Sequence, residues 1–131
     1  MAAAYELEAD SLEVEQARGR AVFTGNVRVF SDTRQIKANR LEVFFSDELE
    51  QIHRADAYGE VELTQEGLKA TASYMSYSIQ ADTVVMQGEA RVEEERGEFR
   101  ADWMWIDLAG EDIRMEGNIK GKLFDSGGED Y

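Results

Sequence analysis

Residues 36–43 read IKANRLEV, and the alternation of apolar and polar residues breaks in the middle of this stretch. Ile36 and Ala38 are apolar at even positions, whereas Leu41 and Val43 are apolar at odd positions. Successive side chains of a strand point to opposite faces, so an apolar face changes parity only where the strand bulges or turns a corner. The stretch therefore predicts a single β-strand that bends between Ala38 and Leu41.

The same pattern recurs along the chain and indicates an internal repeat. Its other copies are 7–14 (LEADSLEV), 68–75 (LKATASYM) and 99–106 (FRADWMWI), which align the alanines Ala9, Ala38, Ala70 and Ala101. A second motif, TGNVRV at 24–29, recurs at 58–63, 87–92 and 116–121 and aligns the glycines Gly25, Gly59, Gly88 and Gly117. Two markers with a common period of about 30 residues predict stacked units that share one core. No helix signal follows the glycines, so they do not form a phosphate-binding loop, and we interpret each as a bulge or close backbone approach at the start of a strand.

Period-two alternation dominates the rest of the sequence, and this favours an all-β fold. There is no proline, and short polar turns such as 65–67 and 95–97 separate strand-sized pieces. We expect roughly a dozen antiparallel strands, as the turn spacing suggests. Because every repeat bends at the same point, the sheet should wrap into a rolled, half-open jellyroll. One domain is expected over residues 5–123, followed by an acidic, flexible tail over 124–131.

Composition excludes several classes of partner. The chain has 131 residues, no cysteine and a formal net charge of −14. This charge repels nucleic-acid phosphates and anionic membrane surfaces, so no nucleic-acid partner is expected. The longest apolar runs are far shorter than the roughly 18 residues of a membrane-spanning helix. The first four residues lack the basic and apolar regions of a signal peptide, so a secreted protein would be represented here after its removal.

The sequence offers little for catalysis. His53 is the only histidine, and without cysteine there is no His- or Cys-based metal site and no thiol nucleophile. Carboxylates are abundant, but they occupy turns or the polar parity of strands, where solvated positions are the ordinary interpretation. We therefore expect no enzyme activity, no cofactor and no metal.

A continuous apolar face remains for function. No amphipathic helix exists to cover it, so this face must either close on itself as a dry core or hold an apolar ligand. Its four methionines would suit an adaptable cavity. The residues predicted to line a lipid-binding groove are Val27, Val29, Ile36, Leu41, Val43, Val61, Leu63, Met75, Val84, Met86, Val92, Met104, Ile106, Ile113 and Met115.

Basic residues form a smaller pattern near the starts of the repeated motifs. One interpretation is a rim that meets anionic head groups, and the other is ordinary solubilising charge. The residues concerned are Lys37, Arg40, Lys69, Arg100, Lys120 and Lys122.

The ordered series ADSLEV, FTGNVRV, IKANRLEV, AYGEV and MQGEARV resembles the OstA-like family over about residues 5–123. The resemblance implies a twisted, V-shaped β-jellyroll that is open along one side. It also implies a non-enzymatic periplasmic carrier of Gram-negative bacteria that takes part in outer-membrane biogenesis. Such a protein would hold lipopolysaccharide acyl chains in an apolar groove and pass the lipid from the inner to the outer membrane.

The same resemblance implies partners. These would be an LptC-like protein and an LptD-like protein, bound by strand addition at exposed sheet edges, and further copies of the chain in head-to-tail order. Two alternatives stay open from the sequence. One is an LptC-type or LptD amino-terminal jellyroll of the same pathway. The other is a structural β-repeat protein that assembles edge to edge without ligand.

Overall fold

The computed structural model describes residues 5–46 and 51–125, and within these ranges it contains β-strands and one short 3-10 turn but no α-helix. The predicted tail lies outside the described residues from position 126 onward. The 3-10 turn covers Gln16–Arg18. The strands are β1 (Glu6–Glu8), β2 (Ser11–Glu15), β3 (Arg20–Phe30), β4 (Arg34–Phe45), β5 (Ile52–Gln65), β6 (Leu68–Ser78), β7 (Thr83–Glu94), β8 (Gly97–Asp107), β9 (Asp112–Glu116) and β10 (Lys120–Leu123).

All ten strands belong to one antiparallel sheet, which confirms the all-β prediction with slightly fewer strands than expected. Strands β3 to β8 are neighbours in chain order. The two short strands β1 and β2 pair with opposite halves of β3, and β9 and β10 pair in the same way with β8. The sheet is therefore not closed, and it ends in an edge formed by β1 and β2 and another formed by β9 and β10.

Every long strand of the sheet bends at the same level. The pairing of β4 with β5 shifts register between Lys37 and Arg40, which confirms the bend predicted from IKANRLEV. Equivalent shifts occur in the other ladders from β3 to β8. These shifts line up across the sheet: two residues of β3, β5 or β7 lie opposite one residue of the neighbouring strand at the same level each time. The aligned bends fold the sheet into two halves whose inner faces oppose each other.

The repeated glycines lie at these bends, within or between strands, and not at strand starts as the sequence had indicated. Each glycine has a positive φ, and the residue after it does too: 84° and 48° at Gly25–Asn26, 79° and 47° at Gly59–Glu60, 81° and 52° at Gly88–Glu89, 86° and 51° at Gly117–Asn118. Two consecutive left-handed residues re-aim a strand sharply, and glycine adopts this conformation without the penalty of a Cβ atom.

The first motif, IKANRLEV and its copies, supplies the residue that faces each glycine. In the first and last copies this residue is an aspartate, and the asparagine after the glycine donates to it: Asn26 to Asp10 at 3.0 Å and Asn118 to Asp102 at 2.8 Å. In the third copy the residue that faces Gly88 is Ser73. The alignment of Ala70 with the other alanines was therefore wrong by two residues, and Ala72 is the true equivalent.

Substitution of Gly88 by alanine is expected to destabilise the protein more than substitution of Gly67. Both glycines have positive φ, 81° and 76°, so both variants carry the left-handed penalty of about 1–2 kcal/mol. A Cβ at Gly88 would lie 2.8 Å from the Cβ of Ser73, whereas a Cβ at Gly67 meets nothing within 4 Å. Urea unfolding of the two variants measures the difference, and equal midpoints would show that close approach at the bend is unimportant.

The core lies between the two halves of the sheet. Inner-face residues from both sides of the bend bury their side chains there, with Leu63 and Val92 on one side and Met86 and Ile106 on the other. All four are 0% exposed. Burial of each such side chain contributes on the order of 1.5–3 kcal/mol, so this packing holds the two halves together.

Candidate functional site

One part of the space between the halves is not filled. A cavity of about 540 Å³ lies at the β1–β4 side of the sheet, where the inner faces of β3, β4 and β5 diverge. Its walls are mainly apolar. The lining residues are Tyr5, Leu7, Val29, Ser31, Asp32, Thr33, Arg34, Ile36, Leu41, Val43, Ile52, Ala55, Tyr77 and Ile79.

The fifteen residues predicted for the groove divide between this cavity and the core. Four of them, Val29, Ile36, Leu41 and Val43, line the cavity, and the last three are at the same time buried members of the core cluster. Ile113 and Met115 are partly buried and pack against the core. The remaining nine are at most 2% exposed in the packed interior: Val27, Val61, Leu63, Met75, Val84, Met86, Val92, Met104 and Ile106. The apolar face is thus a packed core over most of β5–β8 and an open cavity beside β1, β3 and β4, to which Ile52, Ala55 and Tyr77 of β5 and β6 also contribute.

Several lining residues were missed from the sequence, although their parity could have revealed them. Leu7 pairs with Val29 and lies on the same face. Ala55 pairs with Val43, and Tyr77 pairs in turn with Ala55. The alternation therefore contained a signal for these residues. It was weak because the hydroxyl of Tyr77 is polar and the side chain of Ala55 is small.

A polar cluster built around Arg34 closes one wall of the cavity. The Arg34 guanidinium donates to both carboxylate oxygens of Asp82, with Nη2 at 2.8 Å from Oδ2. It also donates from Nη1 to the Tyr77 hydroxyl at 2.8 Å and from Nε to Gln65 Oε1 at 2.8 Å. The Tyr77 hydroxyl in turn donates to Asp82 at 3.0 Å. The cluster joins β4, β5 and β6 to the turn before β7.

Partial burial and the hydrogen bonds within the cluster shift the pKa values of its members Asp82 and Tyr77. Hydrogen bonds from Arg34 hold the pKa of the Asp82 carboxyl below its usual value. Burial raises the pKa of the Tyr77 phenol to about 12, with the neighbouring Asp82 adding to the shift. Asp82 is therefore ionised and Tyr77 neutral at pH 7, so the pair with Arg34 is charge-balanced.

This balance limits what the cavity can bind. Arg34 is the one cation among the described lining residues. Its guanidinium already donates hydrogen bonds to Asp82, Tyr77 and Gln65. Asp32, at the rim, adds a negative charge. A phosphate group would find no unpaired cation on these walls, whereas a hydrocarbon chain would replace water against apolar side chains. The lining suits the apolar part of a ligand.

The predicted basic rim is not at the cavity. Lys37 and Lys69 alternate with the buried Ile36 and Ala70, so they lie on the outer face of the sheet. Lys120 and Lys122 alternate with Gly121, whose Cα hydrogen faces the inward Phe99 ring. The interpretation of a rim that meets head groups at the groove is therefore wrong for these residues.

Both edges of the sheet expose apolar side chains. Among the described residues, the exposed large hydrophobic ones belong to the terminal strands or to residues next to them. At the first edge they are Leu7, Leu12 and Val14, and at the last edge Ile119, Leu123 and Phe124. Unpaired backbone groups beside apolar side chains make each edge a template for strand addition.

The part of the chain that the structure describes contains no group of three or more potential metal-binding His, Cys, Asp or Glu side chains. It contains no helix that is long and apolar enough to cross a membrane. His53 is exposed on β5.

These features define an open antiparallel β-jellyroll with an apolar cavity between its halves and two unpaired edges. The chain belongs to the family described as "LptA/(LptD N-terminal domain) LPS transport protein", which matches residues 6–112.

Two known proteins illustrate the relationship. LptH of Pseudomonas aeruginosa, described as the LptA-homologous periplasmic component of the lipopolysaccharide transport device, superposes with a TM-score of 0.85 at 17% identity. This match covers 94% of the present chain and 96% of LptH. An uncharacterised protein of Rhizobium meliloti (strain 1021) is 27% identical over 91 residues, which are 64% of this chain. The chain spans about half the length of that relative, since the match covers 49% of it.

Proposed function

We propose that this protein acts in lipopolysaccharide transport as a non-enzymatic periplasmic carrier that holds acyl chains of the lipid in the cavity. The observation that carries the proposal is the apolar cavity of about 540 Å³ in a chain of this family. Pockets of roughly 300–1,000 Å³ with mostly apolar walls are the usual sites for small ligands in proteins. In the proposed path the lipid moves from the inner towards the outer membrane.

The energetics favour acyl chains over the saccharide. Each methylene buried in the cavity contributes about 0.8 kcal/mol, so a few carbons of one chain suffice for appreciable affinity. The sugars and phosphates gain nothing by entry, because the described lining has no unpaired cation to offset their loss of hydration. We infer that the saccharide stays in water while the acyl chain occupies the space between the halves.

Photo-crosslinking tests this function. A photoreactive side chain is placed at Ile52, which lines the cavity, or at Val85, which lies on the outer face of β7 and is similarly half-buried. In cells that make lipopolysaccharide, the adduct should form from position 52 and not from position 85. Failure at every cavity position, with assembly intact, would favour the alternative of a structural β-repeat protein without ligand.

We also propose that the two edges serve assembly. The edge of β1 and β2 would receive a strand from one neighbour, and the edge of β9 and β10 would donate to the next, in a head-to-tail series. The neighbours would be further copies, an LptC-like protein at one end and an LptD-like protein at the other. The apolar side chains exposed at both edges support this arrangement, because strand addition would cover them.

Replacement of Val14 by lysine is expected to weaken self-association. Val14 is 59% exposed on β2, and a charged side chain on an edge strand opposes the docking of another strand. Sedimentation velocity over a range of concentrations should show fewer oligomers than for the wild type. Gln87→Lys, a change at an exposed outer-face position inside the sheet, is the control and should assemble normally. Identical oligomer distributions for Val14→Lys and wild type would contradict a role for this edge.

A further inference from the structure

The outer face of the sheet carries three cations in direct register. Arg91 on β7 is the cross-strand partner of Arg100 on β8, and Arg100 is the partner of Lys120 on β10. All three side chains are exposed. Directly opposed residues have Cβ atoms only about 4.5–5.5 Å apart, and like charges in this arrangement destabilise a sheet. The chain maintains this repulsion although its formal net charge is −14.

None of the three cations forms an ion pair with a described residue. The ion pairs found within residues 5–46 and 51–125 involve other side chains. The next row along the same strands is different, because Lys69 faces Glu93 and Lys122 faces Glu98. Glu93 and Glu98 also face each other in that row, but each of its cations has a carboxylate as a cross-strand partner, which Arg91, Arg100 and Lys120 do not have.

These cations surround a concave basin and do not project from a flat surface. The basin has a volume of about 530 Å³ and is lined by Thr71, Glu89, Arg91, Arg100, Ala101, Asp102, Asn118 and Lys120. The basin also holds two carboxylates, Glu89 and Asp102, of which Asp102 accepts a hydrogen bond from Asn118 at 2.8 Å, and the three cations outnumber them. The Thr71 hydroxyl adds a neutral donor beside Arg91, its cross-strand partner. Guanidinium, ammonium and hydroxyl donors that line one basin match the oxygens of a phosphate group.

We propose that this basin, which we call the outer basin, is a binding site for a phosphate-bearing ligand. It lies on the face of the sheet opposite the cavity, so its occupancy is independent of an acyl chain held there. The shared chemistry is a phosphate monoester or free phosphate. Binding would remove the repulsion among Arg91, Arg100 and Lys120, so the ligand should stabilise the fold as well as bind to it.

The same cross-strand row supplies a matched control at its other end. Arg28 on β3 pairs with Lys37 on one side and with Glu8 on the other. Lys37 in turn faces Glu62 on β5. Arg28→Gln therefore changes the net charge by the same amount as Arg100→Gln, but in a place where carboxylates balance the cations.

Titration calorimetry and thermal unfolding of the full chain, with inorganic phosphate and with a hexose bisphosphate, test the proposal. Arg100→Gln should weaken binding by about tenfold or more, because it removes a charge-assisted contact, and Arg28→Gln should change it little. Without ligand, Arg100→Gln should melt above Arg28→Gln, since it relieves the like-charge repulsion. Tighter binding of the bisphosphate would identify a phosphorylated saccharide as the ligand, and equal binding of inorganic phosphate would identify the free ion.

Three results would overturn the proposal. One is no saturable binding of either compound at low ionic strength. Another is an equal loss of affinity in Arg28→Gln and Arg100→Gln, which would indicate diffuse attraction to surface charge. A third is amide chemical shift changes on phosphate addition that are spread over the surface and not centred on Arg91, Arg100 and Lys120.

Discussion

Val29→Trp is expected to reduce lipopolysaccharide binding by about a hundredfold while the fold remains intact. Val29 lines the cavity but is only partly buried, so an indole at this position can grow into the empty space without displacing packed core atoms. A filled cavity excludes several methylenes of an acyl chain, each worth about 0.8 kcal/mol. Displacement of a fluorescent lipopolysaccharide analogue measures the loss.

Val85→Trp is the matched control for this variant. It makes the same substitution at a half-buried position on the outer face of β7. Its binding should equal that of the wild type, and both variants should keep the wild-type circular dichroism spectrum. Undiminished binding by Val29→Trp would place the lipid elsewhere on the protein.

Met104→Ala is expected to show the opposite behaviour. Met104 is 0% exposed in the filled part of the interior, between its cross-strand partners Met86 and Met115. Truncation of a buried methionine leaves a cavity and costs about 2–5 kcal/mol. The melting temperature should fall by roughly 10 °C, as expected for a domain of this size. Lipid binding by the folded fraction should remain close to that of the wild type.

Met115→Ala provides the comparison, because Met115 pairs with Met104 but is only partly buried. Its melting temperature should fall less. A strong loss of lipid affinity in Met104→Ala at temperatures where it is folded would mean that the groove extends through the core, as the sequence had suggested.

The bends of the sheet could be predicted because they leave a local trace. In IKANRLEV the parity of the apolar residues changes within four positions, and the structure places the register shift there. The third copy was misaligned because 68–75 contains two alanines, Ala70 and Ala72, and both are buried. Alternation alone does not distinguish them. The distinction comes from the partner strand, where Gly88 faces Ser73.

The division of the apolar face into core and cavity could not be predicted in the same way. Val43 and Met86 share the parity of the inner face, yet one lines the cavity and the other is sealed in the core. Whether space remains depends on how far the two halves diverge and on the volumes that meet across them. Methionines fill the space over β6–β8, while Val29 and Ala55 leave it open near β4.

The polar cluster at the cavity wall was also invisible in the sequence. Gln65 and Asp82 lie 31 and 48 positions after Arg34 in the chain, and no local sequence pattern links the three residues. The curved sheet brings them together. The row Arg91–Arg100–Lys120 is similar, because it depends on the exact register of three strands and appears only when the ladders are known.

The most direct test of the account is a methyl NMR titration of the protein with lipopolysaccharide. Methyl groups of Val29, Ile36 and Ile52 line the cavity, whereas those of Leu63, Val92 and Ile106 lie in the sealed core. If the cavity holds an acyl chain, the first set should shift and show intermolecular contacts with the lipid methylenes, and the second set should stay unchanged. Contacts from the lipid to the second set, or to neither set, would contradict the assignment of the cavity as the lipid site.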